Sequence, residues 1–206
     1  MLRVLADRAT DKRALILQAA VRVFAAKGYH TCRVGDVAEE AGVAHGLLYH
    51  YFRSKEDVLE TIFRDTWSRL LAEVASVEAA DEPTLEKLRA IASFYLGSWL
   101  RDPDLIRVLV REVARSPEVG RRVDEIGEVF VALRRILEQG QSLGHVRADA
   151  DARLATWVFY GALEEILTGW VLGQLPDAPD DVARAVDTVV EVIGAGLAPD
   201  RARIRA

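Results

Sequence analysis

Apolar residues recur along this chain with the three- and four-residue spacing of α-helices, and no stretch alternates as a β-strand does. Glycine, proline and capping residues interrupt the apolar stripes and divide the sequence into separate helices. The pattern therefore predicts an all-α fold of about nine helices. They are expected over about residues 10–27, 34–41, 45–51, 55–79, 84–101, 104–114, 117–139, 151–173 and 180–197.

Two short helices follow each other closely within residues 32–59. The first ends at Gly42, which can adopt the left-handed conformation that terminates a helix, and the second runs from about His45 to Tyr51. Two short helices joined by a tight turn form a helix-turn-helix, although an ordinary helical hairpin with a polar face gives the same pattern. The apolar positions of the pair are Val34, Val37, Ala38, Ala41, Val43, Leu48 and Phe52.

The polar side of this pair suits DNA. Ser54 is predicted to cap the following helix, with Asp57 at the capping-box spacing, and Lys55 lies at the helix N-terminus, where anions are favoured. Tyr49, Tyr51 and Lys55 are expected to hold phosphates, while Arg33, His45 and His50 lie nearer the bases. The complete predicted DNA-binding set is Arg33, Ala44, His45, Gly46, Leu47, Tyr49, His50, Tyr51 and Lys55.

Residues 10–60 resemble the N-terminal DNA-binding region of the tetracycline-repressor (TetR) family. The resemblance rests on Gly28-Tyr29, Val34, Asp36-Val37-Ala38, Ala41-Gly42-Val43, Gly46, Tyr49, Tyr51-Phe52, Lys55 and Leu59. It departs from the family at Cys32, Ala44 and Leu47, which affects the expected operator sequence. The resemblance implies a DNA-binding domain over residues 1–54 and an effector-binding and dimerisation domain over residues 55–206.

The segment from Leu154 to Leu175 is apolar nearly all round, so both of its sides should be covered. One side is expected to face the core and the other a second copy of the chain. Together with the last helix it would form a four-helix interface between two protomers. The predicted interface residues are Gly161, Glu165, Gly169, Trp170, Val186, Val189 and Ile193.

Large aromatic residues lie on several helices of the C-terminal part, where they could form core or line a pocket between helices. Residues 161–170, 111–116 and 144–147 resemble the FadR-type regulators of fatty-acid degradation. That resemblance implies a long-chain acyl-CoA effector, with Arg107 or Arg111 near its phosphates. The predicted pocket residues are Trp67, Leu70, Phe94, Tyr95, Trp99, Arg107, Leu109, Arg111, Phe130, Leu133, Leu137, Trp157 and Tyr160. The adjacent Glu164 and Glu165 are not expected to form a dyad, and one of them should pair with an arginine.

Charge and composition agree with a DNA-binding head. The net charge is −5, but residues 1–55 carry +4 and the remainder −9. The single cysteine, Cys32, excludes an intrachain disulfide and a thiolate metal site. Neither a signal peptide nor a membrane span is apparent, so the protein is expected to be cytoplasmic. We expect a homodimer that binds palindromic double-stranded DNA and needs no cofactor or metal.

Two alternatives stay open at this stage. A TetR-type regulator of a drug efflux pump would have a broad aromatic pocket with a carboxylate. A helical enzyme carrying a DNA-binding head is disfavoured, because the sequence offers no nucleophile–base set. The sequence does not distinguish between release and promotion of DNA binding by an effector.

Overall fold

A computed structural model describes residues 2–113 and 124–199, and this part of the chain contains nine helices and no strand. The predicted all-α fold is confirmed. The helices are α1 (Leu2–Lys27), α2 (Val34–Glu40), α3 (His45–Tyr51), α4 (Lys55–Ala79), α5 (Thr84–Arg101), α6 (Pro103–Val113), α7 (Asp124–Ser142), α8 (Ala152–Val171) and α9 (Pro179–Leu197).

The start of α4 follows the predicted capping chemistry. The Ser54 Oγ atom accepts the Asp57 N–H at 3.2 Å, and the Asp57 carboxylate accepts the Arg53 N–H at 2.9 Å. These bonds satisfy backbone donors that have no partner inside the helix. The α4 helix therefore begins at Lys55, as the sequence predicts.

Two predicted boundaries are wrong. The first helix was expected to begin at Thr10-Asp11, but α1 already begins at Leu2, since residues 2–10 contain neither glycine nor proline. A loop was expected from Gly140, but α7 continues to Ser142. A Cβ atom at Gly140 would lie 2.5 Å from Thr84 Oγ1, so the glycine lets the last turn of α7 pass close to α5. The predicted N-terminal part of this helix, 117–123, lies outside the described residues.

The chain divides into two compact units by its internal contacts. Unit 1 comprises residues 1–66 and 104–123, and unit 2 comprises residues 67–103 and 124–206. Compact units need not coincide with functional domains, so the boundary between residues 54 and 55 stays a prediction.

Unit 1 is built around the packing of α1 against α2 and of α2 against α3. The stripe predicted for α1 is buried: Ile16, Ala20, Val23 and Phe24 are all 6 % exposed or less. The α6 helix belongs to the same unit and buries Ile106 and Val108, whereas the predicted Leu109 is only half-buried. Buried residues of the other helices are Val37, Ala38, Leu48, Phe52, Val58, Leu59, Ile62 and Phe63.

Unit 2 is a helical bundle in which α9 packs on α5, while α8 contacts α5, α7 and α9. One apolar side of each helix faces the core of unit 2, as the apolar stripes predict. The core residues include Leu88, Ile91, Leu96, Trp99, Val129, Leu133, Ile136, Leu137, Phe159, Leu163, Leu167, Trp170, Val182, Val186 and Val190. Among the described residues, no helix is both long and apolar enough to cross a bilayer.

The turn between α2 and α3 depends on Gly42, whose φ is +63°. A side chain in this left-handed conformation costs about 1–2 kcal/mol, although a Cβ here would meet open space. We expect Gly42→Ala to lower the free energy of unfolding by about 1 kcal/mol in urea denaturation. Gly46→Ala is the control: it lies in α3, also with open space around its Cβ, and should be neutral or stabilising. Equal effects of the two substitutions would contradict this role of Gly42.

Candidate DNA-binding surface and effector pocket

The α3 helix buries one apolar residue and exposes a polar ridge. Leu48 is fully buried, whereas His45, Gly46, Tyr49 and His50 are exposed, as predicted. Leu47 and Tyr51 are half-buried. Ring pairs stiffen the ridge: His45 packs edge-on against Tyr49 and His50 against Tyr51, each with 5.2 Å between ring centroids. The helix thus offers hydrogen-bonding aromatic side chains to a partner outside unit 1.

An open groove of about 440 Å³ lies beside α3. The exposed Arg33 lines it together with His45 and Tyr49, and Arg33 has no ion-pair partner within the described residues. Unpaired guanidinium and imidazole groups at one groove suit phosphates and base edges. The complete lining is Cys32, Arg33, Val34, Gly35, His45, Tyr49 and Lys55.

Lys55 lies at this groove but is held by the protein backbone. Its Nζ atom donates to the Tyr29 carbonyl oxygen at 2.6 Å and to the Cys32 carbonyl oxygen at 3.1 Å. It also lies 4.5 Å from the centroid of the Tyr29 ring. Lys55 therefore ties the α1–α2 loop to the start of α4, a role that helix position alone did not indicate. Its contact with a DNA phosphate stays a prediction.

Asp36 anchors the start of α2, and sequence reasoning did not assign it this role. Its carboxylate accepts the Lys27 ammonium and the Arg33 N–H, each at 2.6 Å. The hydrogen bond from Lys27 is the main reason that the pKa of Asp36 lies below its usual value, and the Arg33 N–H adds to it. An acidic residue in the first turn of a helix was the signal available. Ala44, which precedes α3, provides no side-chain cap, as its residue type implies.

A further contact joins the α1–α2 loop to α6 within unit 1. Glu112 is only 4 % exposed, and its Oε2 atom lies 3.3 Å from Nε2 of His30. On the same helix, Arg111 donates to the Ala25 carbonyl oxygen at 3.4 Å, and Arg107 pairs with Asp104 at 2.6 Å. Arg107, Leu109 and Arg111 thus belong to unit 1, and their place in a ligand pocket stays a prediction. Arg115, the third arginine at this four-residue spacing, lies outside the described residues.

Unit 2 brings together five of the predicted pocket aromatics, with Tyr160 at their centre. The Tyr160 ring centroid lies 4.9 Å from that of Phe130, 5.6 Å from that of Tyr95 and 6.0 Å from that of Trp67. Phe130 also stacks on Trp157 at 4.4 Å. We call these five residues the aromatic cluster. Spacing alone could not show that four helices bring these rings together.

Glu164 lies at the polar end of the aromatic cluster. Its Oε2 atom accepts the Tyr160 hydroxyl at 3.0 Å and also the Tyr95 hydroxyl. Burial raises the pKa of both tyrosines above the ordinary value, so both hydroxyls remain donors at neutral pH. The predicted arginine partner is therefore wrong: tyrosine hydroxyls satisfy Glu164, while Glu165 is exposed.

The remaining predicted pocket residues lie elsewhere in unit 2. Trp99 is buried against Trp170, with 6.1 Å between ring centroids, and donates to Asp177 at 3.2 Å. The Phe94 ring carries the Arg101 guanidinium at 5.0 Å. Leu70, Leu133 and Leu137 are buried core residues. Interior packing accounts for their apolar character, so their contact with a ligand stays a prediction.

The predicted dimer residues separate into two groups. Trp170, Val186 and Val189 are buried within unit 2, and Gly169 is buried beneath Leu175. The same chain already covers these four residues, and their contact with a second copy stays a prediction. Gly161 and Glu165 are exposed and Ile193 is half-buried. The exposed apolar residues of α8 and α9 are instead Leu154 (62 %), Trp157 (57 %), Val158 (59 %) and Val192 (64 %).

The exposed ridge of α3, the glycine turn before it and the groove beside it define a helix-turn-helix DNA-binding protein. Comparison with known families agrees and is more specific. Residues 16–62 match the family of bacterial regulatory proteins of the tetR type, and residues 63–196 match the C-terminal region of YsiA-like proteins. The chain belongs to the TetR family of transcriptional regulators.

Several relatives match over nearly the whole chain. A fatty acid metabolism regulator protein of Bacillus subtilis is 30 % identical over 184 residues, which covers 88 % of this chain and 93 % of the relative. The fatty acid degradation regulator FadR from Bacillus halodurans superposes with a TM-score of 0.82 at 30 % identity, covering 90 % of this chain and 96 % of that one. FadR from Bacillus subtilis, solved in complex with stearoyl-CoA, superposes with a TM-score of 0.80 at 28 % identity. This match covers 89 % of this chain and 98 % of that one. The chain is therefore similar to FadR-type regulators along nearly its whole length.

Proposed function

We propose that this regulator is a homodimeric repressor that binds a palindromic operator and is released from it by long-chain acyl-CoA, controlling genes of fatty-acid degradation. The main support is its similarity to fatty-acid regulators along both units, including a relative solved with stearoyl-CoA. The exposed ridge of α3 supplies the DNA-binding side chains. A two-fold dimer pairs two such ridges with two half-sites about 34–36 Å apart, or a multiple of that distance.

Surface properties of α8 support the dimer. Leu154 and Val158 lie one turn apart on the same face as Gly161, and the two apolar side chains are about three-fifths exposed. Contiguous exposed apolar residues on a helix mark interaction surfaces. A second copy of the same face would cover them, and Gly161 would allow the two helices to approach closely.

The aromatic cluster supports an apolar effector. Each CH₂ group that an acyl chain buries contributes about 0.8 kcal/mol. An effector releases DNA only if it binds the released state better than the DNA-bound state. A coupling free energy of about 1–3 kcal/mol between effector binding and DNA binding changes the DNA affinity about 5–150-fold.

The test is a fluorescence-anisotropy titration on an operator selected from a random DNA pool. Acyl-CoAs with chains of 8, 12 and 16 carbons are expected to weaken DNA binding about 5–150-fold, more strongly for the longer chains. Coenzyme A without a chain is the control and should leave the affinity unchanged. DNA affinity that does not respond to any acyl-CoA would contradict the proposed effector.

One observation favours a second function, regulation of a drug efflux pump by an aromatic cation. Glu164 places a carboxylate beside the aromatic cluster, which is a suitable environment for a cationic ring system. The two tyrosine hydroxyls already stabilise this carboxylate, so the acyl-CoA proposal is preferred. Rhodamine 6G in the same titration separates the two functions: release by the dye but not by acyl-CoA would select the efflux function.

A further inference from the structure

A crevice between α7 and α8 combines two arginines with two stacked aromatic rings. It measures about 100 Å³ and is open to solvent. Its lining is Phe130, Val131, Arg134, Arg153, Thr156 and Trp157. Sites that hold a whole drug-sized ligand have volumes of roughly 300 Å³ or more, so this crevice fits one part of a larger molecule.

Arg153 leaves positive charge unpaired at the crevice, and Arg134 leaves one N–H without a hydrogen bond. Arg153 is exposed and has no ion-pair partner within the described residues. The Arg134 guanidinium pairs with Glu138, whose Oε1 atom lies 3.3 Å from Nε, but the buried Nε–H group makes no hydrogen bond within the described residues. Buried N–H groups of a charged side chain are costly to leave unpaired. Arg153 also lies in the first turn of α8, where the helix dipole adds to the positive potential.

The aromatic side of the crevice is exposed as well. Trp157 is 57 % exposed and stacks on Phe130 with 4.4 Å between ring centroids. A planar heterocycle can stack on an exposed indole ring, and guanidinium groups bind phosphate oxygens in a bidentate manner. Phe130 in turn contacts Tyr160, so a head group bound here would leave its apolar chain beside the aromatic cluster.

We infer that Arg134, Arg153 and Trp157 bind the phosphorylated nucleotide head of the effector. This inference rests on the proposed acyl-CoA function and assigns the phosphates to residues other than the predicted Arg107 and Arg111. In this arrangement the crevice discriminates coenzyme A thioesters from free fatty acids, because only the thioester carries phosphates.

Isothermal titration calorimetry with lauroyl-CoA and with laurate, both without DNA, tests the inference. Arg134→Gln and Arg153→Gln are each expected to weaken lauroyl-CoA binding about tenfold, in line with the loss of one charge-assisted hydrogen bond. Laurate binding should not change. Arg134→Lys, which keeps the charge but loses the planar fork, should give an intermediate loss. The matched control is Arg184→Gln, since Arg184 is an exposed arginine of α9 paired with Asp181 at 3.2 Å.

The outcomes separate this inference from the proposed function. If the wild type binds lauroyl-CoA and both glutamine variants bind it equally well, the inference is overturned while the proposed function stands. If the variants lose laurate and lauroyl-CoA to the same extent, the arginines do not recognise the head group. If the wild type binds neither compound, the result contradicts both the inference and the proposed effector. Light scattering should give dimers for all variants, and monomers of Arg153→Gln would instead mark the crevice as an interface between two copies.

Discussion

Val158→Arg is expected to convert a dimer into a monomer and to weaken operator binding at least a hundredfold. Val158 is 59 % exposed on the face of α8 that we propose a second copy covers. An arginine there would bring two like charges close to the two-fold axis and desolvate them. A monomer binds only one half-site. It therefore loses the gain in affinity of about 10²–10⁴-fold that linking two binding heads provides.

Light scattering and fluorescence anisotropy measure the two effects. Leu143→Arg is the matched control, because Leu143 is 62 % exposed just beyond α7 and away from α8 in the chain. The control should remain dimeric and bind DNA normally. A dimeric Val158→Arg variant with normal operator affinity would exclude this face as the interface.

Lys55→Met is expected to lower the free energy of unfolding by about 2 kcal/mol. The substitution removes charge-assisted hydrogen bonds to the Tyr29 and Cys32 carbonyl oxygens. Hydrogen bonds to charged groups contribute about 1.5–3 kcal/mol each, and partial exposure of Lys55 reduces that contribution. Urea denaturation gives the change in stability.

The same variant also distinguishes a structural role from contact with DNA. Lys12→Met, at an exposed lysine of α1, is the control and should change stability by less than about 0.5 kcal/mol. If Lys55 only held a phosphate, Lys55→Met would leave stability unchanged and reduce the salt dependence of DNA binding by about one unit. That result would contradict the structural role of its two backbone contacts.

Helix positions were largely predictable because they depend on local chemistry. Ser54 and Asp57 set the start of α4, and the positive φ of Gly42 separates α2 from α3. These signals act within a few residues, so the sequence displays them directly. The early start of α1 was missed because Thr10 and Asp11, which suit a cap, are also tolerated inside a helix.

Partners distant in the sequence were harder to predict. Apolar spacing shows that Trp170 and Val189 must be covered, but not whether the same chain or a second copy covers them. Glu164 gave no sign that two tyrosines would bind it. Likewise the bonds from Lys55 to backbone carbonyl oxygens have no sequence signature, because every residue carries such an oxygen.

The membership of α6 in unit 1 limits how this DNA-binding head can be transplanted. A hybrid regulator that takes only the continuous segment before α4 would carry α1, α2 and α3. Here a fusion point at residue 54 would leave behind Glu112 and Arg111, the α6 partners of His30 and of the Ala25 carbonyl oxygen. The segment that must be transferred together is thus discontinuous in sequence. A working chimera requires an α6 helix whose residues can contact the transplanted α1–α2 loop.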